Sequence, residues 1–344
     1  MNVITDEVVI SKNDDTKAAY LDRTKLLLDR YAKVISKSHF GHCEFVDWII
    51  SLKPEISRST WRQYKASVLW YLELKKETTL IDFLKNVNND GCKNYKDIPV
   101  NRRRTSAKKK KSVTEREEQN ICQYLNETSN DSYWSKPTLA IFKATLATGL
   151  RPEEWQSATL ISEENTIYSK DELPVLRVLN AKNTNGRSHG EYRTLHLINM
   201  DKSDLLYIRI ALQYTNPRTD NGWMKPDGKV KSWHEYYKFI RSHLYRITLK
   251  LYPVATRRVT MYSCRHQFIA NLKKAKYSKE EIAAIVGHGT DETATVHYGR
   301  SKFGRDKKGL PTPNMDEVRR IKLVYKGRLT TESVTSNRPV QVNK

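Results

Sequence analysis

Residues 147–154 read Ala147-Thr148-Gly149-Leu150-Arg151-Pro152-Glu153-Glu154, and the fold of the second half of the chain turns on them. Ahead of them, residues 138–147 form an apolar run that predicts a buried helix. Gly149 supplies its stop, because glycine enters the left-handed conformation without a Cβ clash. Arg151 then follows a helix end, with Glu154 three residues on. An arginine in that place is by itself an ordinary surface or salt-bridged residue. What it means depends on what comes after it.

Downstream, residues 175–179 and 194–198 read as two β strands, with Asn183-Thr184-Asn185-Gly186 as turn material between them. Lys182 lies on this hairpin, whereas Lys170 precedes its first strand. Residues 263–274 and 278–286 predict two more helices. The second opens on Ser278-Lys279-Glu280-Glu281, a capping box, and stops at Gly287. Tyr262-Ser263-Cys264-Arg265-His266 stands at the start of the first, His288 follows the second, and Tyr298 comes ten residues later. Tyr298 is one of 19 tyrosines, and no member of this set is distinctive alone.

Upstream, residues 101–114 read NRRRTSAKKKKSVT, with seven basic residues and no acidic one. The run lacks apolar periodicity and is read as a basic linker. Thr114-Glu115-Arg116-Glu117 then forms a capping box that opens the next helix. Before the linker, residues 1–100 read as all-helical. Helices are expected over 14–36, over 44–52, and from Ser59-Thr60 through Trp61, Tyr64, Val68, Leu69 and Leu72. Arg58, Arg62 and Lys65 give that third helix a basic face suited to a DNA groove. The expected organisation is a helical domain over 1–100, the linker over 101–114, a mixed domain over 115–310 and a basic tail over 311–344. The fold class is mainly α with a small β sheet or hairpin.

The 344 residues carry a formal charge of +22, with 38% hydrophobic and 10% aromatic residues. That composition can build cores and excludes a wholly disordered basic protein. No apolar run approaches the ~18 residues of a membrane span, and mean hydropathy is −0.70. No signal peptide is read at the N-terminus. The four cysteines form no CxxC pair, which argues against a zinc ribbon and for a reducing compartment. A large positive charge points to a polyanion, and nucleic acid is the commonest. By segment the net charge is +2 over 1–100, +7 over 101–114, +5 over 115–298 and +8 over 299–344. It is concentrated in linker and tail, so Arg102, Arg103, Arg104, Lys108, Lys109, Lys110 and Lys111 are expected to cross a phosphate backbone.

The ordered set says more than its members. Arg151 after a glycine helix stop, Lys182 on a hairpin, Arg265-His266, Gly287-His288 and then Tyr298 resemble the tyrosine recombinase (phage integrase) family. The resemblance covers about 115–300 through these motifs and, more loosely, 15–100, where the helical segment is similar to the family's core-binding domain. It implies a mixed α/β catalytic domain after the linker. It also implies the two-domain type without an arm-binding domain, since the first helix starts near residue 14. Two departures stand out. The family's His-x-x-Arg box here reads Tyr262-Ser263-Cys264-Arg265, and His288 and Tyr298 are ten residues apart where nine is commoner.

The family's chemistry is transesterification, which is mostly a matter of positioning and charge stabilisation. A planar guanidinium grips two phosphate oxygens and never loses its charge, which suits Arg151 and Arg265 to that work. The resemblance makes Tyr298 the nucleophile of a covalent 3′-phosphotyrosine. His288 and Tyr262 would add hydrogen bonds, and Lys182 would protonate the departing 5′ oxygen. Tyr262 is a poor general base at neutral pH, its ordinary pKa being about 10. The covalent ester conserves the broken bond's energy, so no cofactor, metal or ATP is expected. The implied partner is double-stranded DNA, with a homotetramer in the synaptic complex and a monomer when free. No membrane is involved, and the place is the cytoplasm, at the nucleoid. Residues 315–324 are expected to form a helix whose Val318 and Ile321 dock on a neighbouring protomer. The rival readings are a type IB topoisomerase and an inactive DNA-binding regulator of recombinase descent.

Overall fold

The computed structural model describes residues 14–37, 39–94, 110–162, 174–181, 188–216, 223–225, 228–230, 232–293, 298–307 and 309–324. The chain divides into two compact units, Met1–Ala107 and Lys108–Lys344. Among the described residues, no helix is long and apolar enough to cross a membrane.

The described part of the first unit is built from α1 (Asp14–Ile35), α2 (His42–Ser51), α3 (Arg58–Lys75) and α4 (Thr78–Asn86). Apolar residues at helical spacing bring Tyr31, Phe45, Ile49, Trp61, Val68, Leu72 and Leu84 into one core. Tyr31 meets Phe40 edge-on with ring centroids 4.7 Å apart, a geometry worth about 0.5–1.5 kcal/mol beyond the area it buries. Polar contacts fix the register of α1 on α3. Thr24 Oγ1 donates to Ser67 O at 3.0 Å and Arg23 Nη1 to Ser67 Oγ at 2.8 Å.

Helix α3 starts earlier than the expected Ser59-Thr60. Ser57 has the extended backbone of a cap, and its hydroxyl accepts from the Thr60 amide at 3.1 Å. Arg58 and Arg62, one turn apart, are exposed. Lys65 departs from the basic face expected of it. Its Nζ donates to Lys85 O at 2.8 Å and Val87 O at 2.7 Å, so its charge closes the end of α4.

The second unit contains α5 (Glu115–Glu127), α6 (Ser135–Thr148), β1 (Thr159–Ser162), β2 (Pro174–Leu179), β3 (Tyr192–His196) and α7 (Lys202–Thr215). After these come β4 (Trp223–Lys225), β5 (Gly228–Val230), α8 (Trp233–Leu251), α9 (Met261–Lys274), α10 (Lys279–Val286) and β6 (Thr312–Pro313). The expected hairpin is the centre of a four-stranded antiparallel sheet in the order β1-β2-β3-β6. Its central register pairs Val175 with His196 and Leu179 with Tyr192. The outer strands have four and two residues, too short for a period-2 pattern to declare them.

Helix α6 is the spine of this unit. Nearly every residue of it is buried, with α7 and α9 packed against it, which is why it lacks a polar stripe. Its start is at Ser135 and its stop is Gly149, in the left-handed conformation at φ 66°. A Cβ there would collide with the Phe268 ring of α9, so Gly149 sets a close approach as well as a turn. The capping boxes at Thr114 with Glu117 and at Ser278 with Glu281 both form. Helix α9 starts at Met261, two residues before the expected Ser263, because Thr260 takes the cap and accepts from the Ser263 amide.

The tail helix is shorter than expected, running over Met315–Arg319 and capped by Asn314. Val318 and Ile321, expected on a neighbouring protomer, pack against Ala283 and Ala284 of their own unit. Lys322 then pairs with Thr290 in a parallel bridge. The small alanine face of α10 allows that close seat.

Candidate active site

Most of the site is built at or near helix ends. Past Gly149 the chain is extended at Arg151, and a 3-10 turn over Pro152–Ser157 brings Glu154 back beneath it. Glu154 Oε2 accepts from the Arg151 amide at 2.7 Å and Oε1 from Arg151 Nη1 at 2.6 Å. On α9, Tyr262, Arg265 and His266 stand three and four residues apart and share one face. At the end of α10, Gly287 at φ 68° turns the chain so that the His288 amide donates back to Ala283 O at 2.8 Å.

Arg265 joins these ends. It is fully buried, with Nη1 donating to Gly149 O at 2.6 Å and Nη2 to Val286 O at 2.7 Å. Those carbonyls belong to the stops of α6 and α10, where helix dipoles present their negative ends. Nη2 also reaches His288 Nε2 at 3.3 Å. With Nε2 accepting, the His288 proton sits on Nδ1. Among the described residues, neither Arg265 Nε nor His288 Nδ1, both buried, has a hydrogen-bond partner. Among the described residues, Arg151 Nη2 has only a long contact, 3.5 Å, to Gly287 O.

Tyr298 lies over this cluster. Its ring centroid is 5.4 Å from Arg265 Cζ, 5.1 Å from the His288 ring and 5.0 Å from the His266 ring. Its hydroxyl is 2.9 Å from that of Tyr262. Burial opposes ionisation of Tyr298, but Arg265, the Tyr262 hydroxyl and Arg151 outweigh it and hold its pKa below the ordinary phenol value. Tyr262 moves the other way, to about 12, through burial and the neighbouring Tyr298 oxygen. Either hydroxyl can donate while both are neutral, and once Tyr298 carries charge Tyr262 is the donor. Burial and the arginines hold His288 neutral. Burial, with Lys111, Arg265 and Lys273, lowers His266 to about 4.

The structure thus brings together Arg151, Tyr262, Arg265, His288 and Tyr298. Lys182, its alternative Lys170 and the turn at Asn183–Gly186 lie outside the described residues. So do Arg102, Arg103, Arg104, Lys108 and Lys109. Of the basic run, Lys111 is exposed and close enough to act on His266. Lys110 instead pairs with Glu117 at 2.5 Å, and its carbonyl accepts from Ser263 Oγ.

Arg193 and Asn180 were not anticipated. Arg193 is fully buried, with Nη2 on Glu154 Oε2 at 2.6 Å, Nη1 on Asn180 Oδ1 at 2.5 Å and Nε on Ile285 O at 2.9 Å. The available signal is period two: Arg193 and Leu195 are the inward positions of β3, and a cation in an inward position demands a buried partner. Burial disfavours the Glu154 carboxylate, yet Arg193, Arg151 and Arg265 overcome it and hold its pKa far below the usual range.

Gly287 has no room for a side chain. A Cβ there would fall within contact of Asn180 Oδ1 and lie 2.8 Å from Arg193 Nη1, at a φ that side chains avoid. Gly287→Ala should therefore lose about 2–4 kcal/mol, combining left-handed strain with overpacking. Denaturant unfolding of the two chains measures it, and a difference below about 1 kcal/mol would refute the crowding argument.

No protein-family model matches the chain, and no curated protein matches it by sequence. Among solved structures it is similar to a Tn1549 transposon integrase in complex with transposon right end DNA. The identity is 15% over 88% of this chain and 97% of that one, with a TM-score of 0.45. It is also similar to XerA recombinase, at 14% identity over 84% and 90% of the two chains and a TM-score of 0.35. A lambda integrase dimer bound to a COC′ core site gives 13% identity, 86% and 82% coverage and a TM-score of 0.34.

Proposed function

We propose that this chain is a tyrosine recombinase, a site-specific enzyme that cuts and rejoins DNA strands through a 3′-phosphotyrosine. One observation carries the reading. The Tyr298 phenol lies against a buried guanidinium whose Nε, like the neighbouring His288 Nδ1, has no acceptor among the described residues. A phosphodiester supplies the missing acceptors and is the electrophile such a phenol attacks.

In this reading Arg151 and Arg265 take the nonbridging oxygens and stabilise the charge that grows on them. His288, neutral, donates from Nδ1. Tyr298 attacks as phenolate, so Tyr262 need not act as a strong base. The Tyr298 oxygen–phosphorus bond forms as the bond to the 5′ oxygen breaks, and Lys182 is assigned the proton for that oxygen. A 5′ hydroxyl of a partner strand then reverses the step, leaving neither metal nor nucleotide a necessary role. Residues 1–100 act as a core-type DNA-binding domain, with Arg58 and Arg62 on phosphates. The basic linker of 101–114, including Lys111, straps the duplex, residues 115–310 carry the chemistry, and four copies assemble on two sites. The enzyme works in the cytoplasm.

The test is a pool of nicked duplexes of randomised sequence, incubated with the protein and a chelator and then denatured. A DNA–protein adduct whose strand can be passed to a second duplex is expected. An adduct that reseals only its own strand means a topoisomerase, and binding without adduct means an inactive regulator.

Tyr262→Phe gives a further expectation. It removes the hydroxyl that donates to Tyr298 and keeps the ring. A hydrogen bond to a charged oxygen is worth about 1.5–3 kcal/mol, so the pKa of Tyr298 should rise by about one to two units. The pH at which cleavage is half-maximal should move up by the same amount, as read in single-turnover cleavage across pH. An unmoved profile would show that Tyr262 does not support the nucleophile.

A further inference from the structure

Arg193 has no part in the reaction drawn above, yet it is the most thoroughly engaged cation beside the site. Its partners lie in three separate pieces of the second unit: Glu154 in the turn after Arg151, Asn180 at the end of β2, and Ile285 in the last turn of α10 before His288. It is fully buried and all three of its nitrogens are occupied, so it does not hold a phosphate itself.

Glu154 faces three guanidiniums with two oxygens. Oε1 holds Arg151 Nη1, and Oε2 holds the Arg151 amide and Arg193 Nη2. Arg265 Nη1 stands off at 3.9 Å from Oε2. That separation matters, because a carboxylate in contact with Arg265 would neutralise the cation nearest Tyr298. Arg193 occupies the oxygen that would make the contact. Among the described residues, the ionisable groups beside Tyr298 include Arg265, Arg151, Tyr262, His266 and His288, and both imidazoles are neutral. Within this set the charge that favours the ionised phenol is that of the two arginines, less whatever Glu154 cancels.

We propose that Arg193 is a positioning residue: by occupying Glu154 Oε2 it keeps that carboxylate off Arg265, leaving Arg265 charge available to Tyr298 and to a phosphate. The rate consequence rests on the recombinase reading, whereas the consequence for Tyr298 ionisation does not. Removing Arg193 lets Oε2 close on Arg265, and the phenol loses part of the field that favours its ionised form.

The experiment compares the full-length chain with Arg193→Gln and Arg193→Lys. Tyr298 ionisation is read as the difference in phenolate absorbance between each chain and its Tyr298→Phe counterpart through an alkaline titration. Single-turnover cleavage and DNA affinity use the nicked duplex recovered from the randomised pool. Arg193→Gln should raise the Tyr298 midpoint by about one unit and slow cleavage about tenfold near neutral pH, with DNA affinity within about threefold. Arg193→Lys, which keeps the charge, should recover most of both. A Tyr298 midpoint and cleavage rate within about twofold of wild type in folded Arg193→Gln would overturn the proposal. So would a cleavage loss with no titration shift, the mark of a purely structural role. Where Arg193→Gln does not fold, Asn180→Ala frees Arg193 Nη1 and is read on the same two scales, with a shift supporting the proposal and none overturning it. If wild type yields no adduct from any duplex, the recombinase reading fails and the titration still decides the role of Arg193.

Discussion

Tyr298→Phe should form no covalent DNA adduct above background while binding the same duplex with unchanged affinity. The change removes one oxygen and leaves the ring that meets Arg265, His266 and His288. A phenyl ring keeps those contacts, so the variant should fold and its melting temperature should stay close to that of the parent. Without the oxygen, no bond to phosphorus can form at this position. Denaturing gels of protein incubated with nicked duplex provide the measurement. Retained adduct in Tyr298→Phe would mean that another phenol attacks, with Tyr262 first in line at 2.9 Å from the Tyr298 hydroxyl.

Glu154→Gln should have the largest effect on stability. The side chain is fully buried, pairs directly with Arg151 and Arg193, and stands 3.9 Å from Arg265. A glutamine keeps the shape but leaves these charges without a counterion, a situation that costs about 3–5 kcal/mol. The effect carries a pH signature. The folded-state pKa of Glu154 is depressed, so its contribution is complete above the ordinary carboxylate range. It is lost as pH falls below that range toward the depressed native value. Parent and variant should therefore differ most near neutral pH and converge in acid below about pH 4. Denaturant unfolding of both chains across that range measures it, and a gap independent of pH would refute the ion-pair account.

Much of the second unit was legible because its helices end on punctuation. Gly149, Gly287, Thr114 with Glu117 and Ser278 with Glu281 each act as their residue types suggest. Helices α7 and α8 were not anticipated, although both carry buried apolar residues, among them Ile208, Leu212, Ile240 and Leu244. β1 and β6 escaped through shortness. In α3 the cap went to Ser57 and not to a later hydroxyl, a choice made by backbone conformation. At the site, the residues that face the centre could be read as an ordered set. Glu154, three residues from Arg151, could be read as ordering it, and it does; Asn180 and Arg193 could not be read, because they acquire their meaning from contacts across 13 and 39 positions. Lys65 shows the reverse: a cation on a plausible face that tertiary structure put to work on two carbonyls.

The two bonds from Arg265 to Gly149 O and Val286 O tie the chemistry to the architecture. The helix stops that define α6 and α10 also aim this guanidinium, so its orientation is inherited from folding. Lysine, a point charge on a flexible stem, cannot satisfy both carbonyls and still present an edge to a third acceptor. The position is therefore closed to gradual change: drift in either helix terminus would reach the reaction before it reached the fold.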